Sequence, residues 1–389
     1  MKISKRLLAD QQGVILFSSL TILSILLAVG IAVRTMLQND YKIIANLRGG
    51  TEAFYFSVAG IEWSKSELGR TAILPPAPAN RTVGFQSGSF SISFMSPMSV
   101  GPLAASVVVR STGSVGASSH MLQAQLTKTY DLADAAISLR GNAATVNLGT
   151  SPILLSGADY DPATDNAVPG AKPRSAISTS DDFLRSLVQR ELANAPQVIL
   201  DSASASPGLT TSGFLPATSV TRFVNDLCAS AAAVVTIVPS SGALIFENQT
   251  WGTPSAPELR CFEGLAESGD AITIAGNIMG AGILIVRDAD LVLAGSYRWE
   301  GLIIIAGGEV GLTASGPSDK DVIGAVVLNE TGSPTSAKAI LDIQGSIRIR
   351  FSRKGLARSA GFVSTATLEQ AAPALPFVIS QNYWRTVTP

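Results

Sequence analysis

One run of twenty residues without a charged side chain, residues 14–33, constrains this chain more than any other feature of its sequence. As a helix it would be about 30 Å long, the thickness of the hydrocarbon core of a bilayer. Lys2, Lys5 and Arg6 precede it, and basic residues favour the cytoplasmic side of a membrane. The run therefore predicts a single-pass membrane protein with a cytoplasmic N-terminus and its body outside the cytoplasm.

A removable secretory signal is the first alternative for this run. Such signals have an apolar stretch of about 7–15 residues followed by a small-residue cleavage site, whereas this run is longer and has no such site after it. The helical pattern also continues past the run, because apolar residues recur at helical spacing up to Ile61. Gly69, Pro75 and Pro76 end the pattern. The sequence predicts one helix over residues 14–68, half in lipid and half in water.

Composition limits the class of protein. Among 389 residues, 46% are hydrophobic and only 15% are charged, and the net charge of −1 gives no reason to expect nucleic acid as a partner. The 35 glycines and 20 prolines favour short strands separated by turns.

Short strands dominate the chain after the helix. Residues 69–135 predict a small antiparallel sheet, in which Gly113 and Gly116 allow the chain to reverse between two strands. Residues 136–389 predict a large β-rich domain, because short apolar strands separated by Gly turns recur about every ten residues in its densest part. Two helices interrupt it, one after Ser180 and one over residues 218–232. The fold class expected is α+β, with a β-solenoid-like large domain and a final strand near the C-terminus.

Candidate site residues are few. Cys228 and Cys261 would form a disulfide if the domain is exported, and would otherwise be two buried thiols. Asp159, Asp161 and Asp165 place carboxylates at nearby positions of one polar loop, which would suit Ca²⁺. The loop lacks the spacing, central Gly and terminal Glu of an EF-hand, so an Asp-rich turn is the simpler interpretation. No cofactor other than this Ca²⁺ candidate is expected.

Catalytic constellations are not predicted. His120 is the only histidine, and it lies in a predicted strand without a nucleophile motif beside it. Asp288, Asp290 and Glu300 could be imagined as the paired carboxylates of a solenoid glycosidase, but they sit where turn acids are common. The sequence predicts a protein that is not an enzyme.

The N-terminal junction resembles a known processing signal. Gln11, Gln12 and Gly13 followed by the apolar run are similar to a type III prepilin signal. That resemblance implies that residues 1–13 are a leader, that prepilin peptidase cuts between Gly13 and Val14, and that the apolar stretch stays as a filament-packing helix. Residues 53–63 resemble the helical segment after the membrane span in PilX-type minor pilins, and residues 282–305 resemble the texture of their large exported domains.

Ser18 would be the fifth residue of the mature chain. Major pilins have Glu at that position, and a carboxylate in lipid is costly unless it is paired. In lacking this Glu, the chain resembles minor subunits of the PilX type and the K-type pseudopilin of type II secretion. The resemblance implies a structural minor pilin of a type IV pilus or related filament, which helps to initiate assembly or is displayed at the tip.

The resemblance also implies partners and a location. The partners would be other pilins, bound through the N-terminal helix, and the location would be the inner membrane before a periplasmic or extracellular filament. The alternative is a membrane-anchored, extracytoplasmic glycan-binding or glycan-degrading β-solenoid protein whose helix is a plain anchor.

Overall fold

A single helix forms the N-terminal part of the chain. The computed structural model describes residues 4–70, 81–95, 98–101, 103–142, 145–201, 208–238, 243–265, 271–332, 339–371 and 375–387. Helix α1, Ser4–Arg70, has 67 residues and is about 100 Å long. It runs without a break through Gly49 and Gly50.

An antiparallel sheet, here called the anchor sheet, packs on the second half of α1. Its spatial order is β1-β2-β4-β5-β26, with β3 beside β4. The strands are β1 Arg81–Gly84, β2 Ser89–Phe94, β3 Met98–Gly101, β4 Ala104–Val115, β5 Ser118–Tyr130 and β26 Phe377–Val387. Alternate residues of β2 and β4 are buried, and apolar side chains of β2, β4 and β5 form one core with Ile61 and Leu68 of α1.

The last strand of the chain completes this sheet. Strand β26 pairs antiparallel with β5, and Phe377 lies opposite Tyr130. The sequence-based division placed the final strand in the large domain, and this pairing differs from it. All strands between β5 and β26 therefore form an insertion between two neighbouring strands of the anchor sheet.

The insertion contains twenty strands and four α-helices within the described ranges. The strands are β6 Ala135–Gly141, β7 Thr145–Leu148, β8 Ile153–Ser156, β9 Tyr160–Asp161, β10 Asn166–Ala167, β11 Ser175–Thr179, β12 Val198–Asp201, β13 Leu209–Thr211, β14 Ala233–Ile237, β15 Ala243–Phe246, β16 Gln249–Trp251, β17 Glu258–Glu263, β18 Ala271–Ile274, β19 Ile278–Arg287, β20 Asp290–Leu293, β21 Tyr297–Gly307, β22 Leu312–Ala314, β23 Lys320–Glu330, β24 Ala339–Ile343 and β25 Ile347–Phe351. The helices are α2 Asp182–Asn194, α3 Ala217–Cys228, α4 Arg353–Ser359 and α5 Thr365–Ala371, with a short 3₁₀ turn at Ala360–Phe362.

Most of these strands form two parallel sheets. Successive strands from β17 to β25 alternate between a twelve-stranded and a six-stranded sheet, so each pair of strands is one rung of a solenoid. Ile272, Leu291, Leu312 and Leu341 occupy one column of the smaller sheet. Neighbours in this column are separated by 19, 21 and 29 residues, which explains why the sequence shows no single period. The predicted α+β fold class, with a long helix, a small antiparallel sheet and a solenoid-like region, is confirmed.

A column of glycines bends three successive strands of the larger sheet. Gly282, Gly301 and Gly324 lie in register in β19, β21 and β23, with φ of 121°, 145° and 158°. A Cβ on Gly301 would meet the carbonyl oxygen of Gly282, and one on Gly324 would meet that of Gly301. Helix α4 packs over these strands, and its Ser359 Oγ donates to the carbonyl of Gly282 over 2.9 Å. The missing side chains therefore allow both the bend and close stacking.

The two ends of the solenoid differ. At one end β7 and β8 stack on β24 and β25, so the first strands of the insertion extend its last rung, and α2 contacts β7. At the other end β14 and β15 each pair with one neighbour among the described strands. Four apolar side chains are exposed there, those of Val234, Val235, Ile237 and Ile245.

Candidate functional site

Helix α1 contains the segment that can cross a membrane. Its residues 15–48 are exposed, and the helix is long and apolar enough for a span. Hydroxyl groups within the span donate to carbonyls of the preceding turn: Thr21 Oγ1 to Phe17 and Ser24 Oγ to Leu20, both over 2.8 Å. Such bonds satisfy polar side chains without water, so these residues are compatible with a lipid environment.

The predicted junction residues lie on this helix. Gly13 and Val14 are helical. Ser18 is exposed. The structure thus places the expected cleavage site and mature position five on one continuous helix, about one turn apart.

The segment that follows the span leaves an apolar face uncovered. Met36, Ile43 and Leu47 are each more than half exposed, and they recur at helical spacing. From Ala53 onward the same helix is buried at intervals against the anchor sheet. An apolar helix face that nothing in the described chain covers is suited to packing against other helices.

Glycine allows α1 to approach the anchor sheet. A Cβ on Gly113 would meet the carbonyl oxygen of Ala53 and the amide nitrogen of Ser57. The sequence prediction placed Gly113 in a turn, but β4 continues through it to Val115 and only Gly116, with φ 55°, occupies the reversal. The prediction was wrong because a glycine needed for close packing has the same sequence signature as one needed for a turn.

His120 is part of the same helix–sheet contact. Its Nδ1 lies 3.4 Å from Ser57 Oγ, and its ring meets that of Phe54 edge-on with centroids 5.1 Å apart. Ser57 Oγ also lies 2.7 Å from the Phe54 carbonyl, to which it donates. The histidine thus fills a packing position between β5 and α1.

A buried lysine joins the end of α1 to the point of insertion. Lys128 Nζ donates to the carbonyl oxygen of Leu68 over 2.8 Å and lies 4.2 Å from the ring centroid of Phe377. The side chain is 2% exposed, and its burial lowers the pKa of Lys128 to about 8. A cation at this place also complements the C-terminal end of the helix dipole.

Buried ion pairs fix the chain where it passes from β5 into the insertion. Directly after β5, Asp131 contacts Arg174 and lies 3.5 Å from Arg353 Nε. Three residues on, Asp134 accepts from Arg140 Nη2 over 2.8 Å and from Ser178 Oγ over 2.7 Å. Both carboxylates are at least 94% buried. Removal of either partner would leave a charge buried without compensation. The Asp131 pairs therefore hold the end of β5 against the insertion, and the Asp134 contacts hold β6 against β11 within it.

Each of the three aspartates of the predicted Ca²⁺ site forms an ion pair with a different basic side chain. Asp159 Oδ2 lies 3.1 Å from Arg353 Nη1. Asp161 Oδ1 lies 2.9 Å from Lys354 Nζ, and this bond holds the pKa of Asp161 below its usual range. Asp165 Oδ1 lies 3.0 Å from Arg350 Nη2. Within the described ranges no group of acidic, His or Cys side chains is arranged to hold a metal ion. The carboxylates fasten the β9–β10 hairpin to the solenoid, which the sequence could not show because the basic partners are about 190 residues away.

Cys228 and Cys261 form a disulfide in the structure, with Cα atoms 5.8 Å apart. The bond joins the last residue of α3 to β17, which pairs directly with the terminal strand β14. It therefore secures the helix that leads into the exposed end of the solenoid.

The carboxylates considered for glycoside hydrolysis lie apart. Asp288 N donates to the carbonyl of Ala306, which follows Glu300 in β21 by six residues. Six residues of a strand span about 20 Å, whereas the two carboxyl groups of a glycosidase are about 5–9.5 Å apart. Glu300 is instead paired with Arg298 and Arg358.

No protein-family model matches this chain. No curated protein matches it either. Among solved structures, it is similar to the competence-associated pilin ComZ from Thermus thermophilus, with 14% sequence identity, a TM-score of 0.26, and coverage of 87% of this chain and 98% of that one. A TM-score this low carries no argument about the fold or the function of the chain.

Proposed function

We propose that this protein is a minor pilin of a type IV pilus or related filament, in which α1 packs among the helices of other subunits. The observation that carries the proposal is the division of α1 into two parts. One part, residues 15–48, is exposed along its whole length and includes the uncharged apolar run, and the other is buried against a small antiparallel sheet. A plain anchor needs about 20 apolar residues and has no use for an uncovered apolar face beyond the membrane.

The large size of the β-solenoid supports the assignment as a minor subunit and not as the main filament subunit. The insertion holds most of the chain after the helix, and a body of this size is difficult to repeat at every step of a thin filament. Ser18, in place of the Glu of major pilins, supports the same role, since it provides no carboxylate for a neighbouring N-terminus. The subunit would then initiate assembly or occupy the tip.

Processing and location follow from the same proposal. Prepilin peptidase would cut between Gly13 and Val14, and the N-terminus would face the cytoplasm before assembly. The solenoid would then lie in the periplasm or on the extracellular part of the filament, where its disulfide is stable. Its role there would be structural and not enzymatic.

The experiment that tests the proposal is mass spectrometry of the mature N-terminus. The expected species begins at Val14. Gly13→Leu should remain full-length, because the resemblance implies that the peptidase requires a small residue there. Gly30→Leu is the matched control, since Gly30 lies on the same helix with nothing within 4 Å, and this variant should be processed. A wild-type chain that keeps Met1, or is cut beyond residue 30, would contradict the pilin proposal.

The second candidate is an anchored glycan-binding protein. The solenoid favours it, because stacked rungs present a long repeated surface. The same mass spectrum separates the two candidates, since a plain anchor keeps its first residues and a pilin loses thirteen.

A further inference from the structure

A cavity of about 240 Å³, lined by both polar and apolar residues, lies where α3 meets one corner of the solenoid. Helix α3 contributes Thr221 and Asn225 to its wall, and the corner contributes Arg287, Asp288 and Thr331. None of these side chains has a part in the attachment of the insertion or in the helix–sheet contact. The cavity is therefore separate from the surfaces described above.

Arg287 is held in place and neutralised at the edge of this cavity. Its Nη2 lies 2.8 Å from Glu263 Oε1, and its Nη1 donates to Asn225 Oδ1 over 3.1 Å. The second bond fixes the orientation of the Asn225 amide, whose nitrogen remains as a donor. The ion pair leaves no net positive charge for an anion.

Asp288 supplies an acceptor that the protein itself uses little. Its backbone is left-handed, with φ 52°, in the tight connection between β19 and β20. Its Oδ1 accepts from Gly308 N at 3.4 Å, which is longer than an ordinary hydrogen bond, and no bond to its Oδ2 is found among the described residues. A Cβ on Gly307 would meet Oδ1, so glycine there keeps the space for this carboxylate.

We propose that this cavity binds one neutral sugar ring. The charges of Arg287, Glu263 and Asp288 sum to −1, which disfavours phosphates and carboxylates. The Asp288 carboxylate can accept from two adjacent hydroxyls, while the Asn225 amide and the Thr331 hydroxyl can donate. Ligand pockets for drug-sized molecules are about 300–1,000 Å³, so this smaller cavity suits a single ring.

The test is saturation-transfer NMR on the full chain in a detergent without a sugar headgroup. The probes are the methyl glycosides of glucose, galactose, mannose and N-acetylglucosamine. At least one should receive saturation from the protein. Asp288→Asn should weaken its binding about tenfold or more, because the charged acceptor is lost while asparagine still adopts a left-handed backbone.

Asp226→Asn is the matched control. Asp226 follows Asn225 on α3 but lines a different, smaller cavity, so this variant should bind as the wild type does. Thr331→Val, at an exposed corner residue, provides a second loss of affinity without a change to the tight connection. Binding of none of the four probes, equal binding by Asp288→Asn, or displacement of the sugar by inorganic phosphate would each overturn the proposal. Processing at Gly13 has no bearing on these outcomes, so the site and the pilin proposal fail separately.

Discussion

Single residues decide how closely the backbones of this protein approach one another. Gly113 allows α1 to pack closely on the anchor sheet. The column of Gly282, Gly301 and Gly324 allows both a bend and the close stacking of successive rungs. In each case a Cβ would meet main-chain atoms, which cannot rotate away as a flexible side chain can.

Gly301→Ala should lower the free energy of unfolding by about 3–5 kcal/mol, because alanine would adopt φ 145° and press on the Gly282 carbonyl. Urea unfolding of the solubilised protein, followed by tryptophan fluorescence, measures the change. Gly361→Ala serves as the control, since nothing lies within 4 Å of Gly361, and it should change stability by less than about 0.5 kcal/mol. Equal midpoints for the two variants would contradict the role of the column.

Lys128 should make stability depend on pH. Its folded pKa of about 8 lies below the ~10.4 of a free lysine, so between pH 8 and 10 the unfolded chain binds more protons. The free energy of unfolding should therefore rise with pH in that window. Lys128→Met should remove part of this rise, and not all of it, because burial also lowers the pKa of Lys320. Unfolding curves at pH 8, 9 and 10 measure both slopes, and an unchanged slope in the variant would refute this account of Lys128.

At the scale of elements, the sequence was most informative where a pattern is local. The long helix, its end near Gly69, and the helix after Ser180 follow from spacing and capping, and Asp181 does accept from Leu184 N over 2.8 Å. Helices α4 and α5 were not predicted, since each has seven residues and too short an apolar pattern. The ion pairs of Asp159, Asp161 and Asp165 could not be predicted, because charged partners distant in sequence leave no local signal.

The disulfide should stabilise the exposed end of the solenoid. It closes a loop with a sequence separation of 33, for which the chain-entropy model gives about 3–4 kcal/mol. Replacing both Cys228 and Cys261 by Ala should therefore lower the denaturation midpoint. A reducing agent should lower the midpoint of the wild type and leave that of the double variant unchanged. A wild type insensitive to reduction would show that the bond does not form in solution.

At the scale of the whole molecule, the insertion of the solenoid between β5 and β26 could not be predicted from the sequence. The strands that precede and follow the solenoid in the sequence were each predicted, but their pairing was not. The alternation of apolar residues along a strand shows which of its faces is buried, and not which strand pairs with it. The candidate site was predictable to the same limited extent. The anchor and the junction residues lie in one local pattern, whereas the cavity beside Asp288 combines residues from α3 and three rungs.

The pairing of β5 with β26 has a consequence for the time at which the protein becomes complete. Phe377 follows Tyr130 by 247 residues, and synthesis at about 5–20 residues per second takes roughly 12–50 s to cover that length. Throughout this interval β5 has an open edge, and the rungs of the solenoid can stack before the anchor sheet closes. A chain whose synthesis stops anywhere in the solenoid therefore also lacks β26. An incomplete solenoid is thus never attached to a complete anchor sheet.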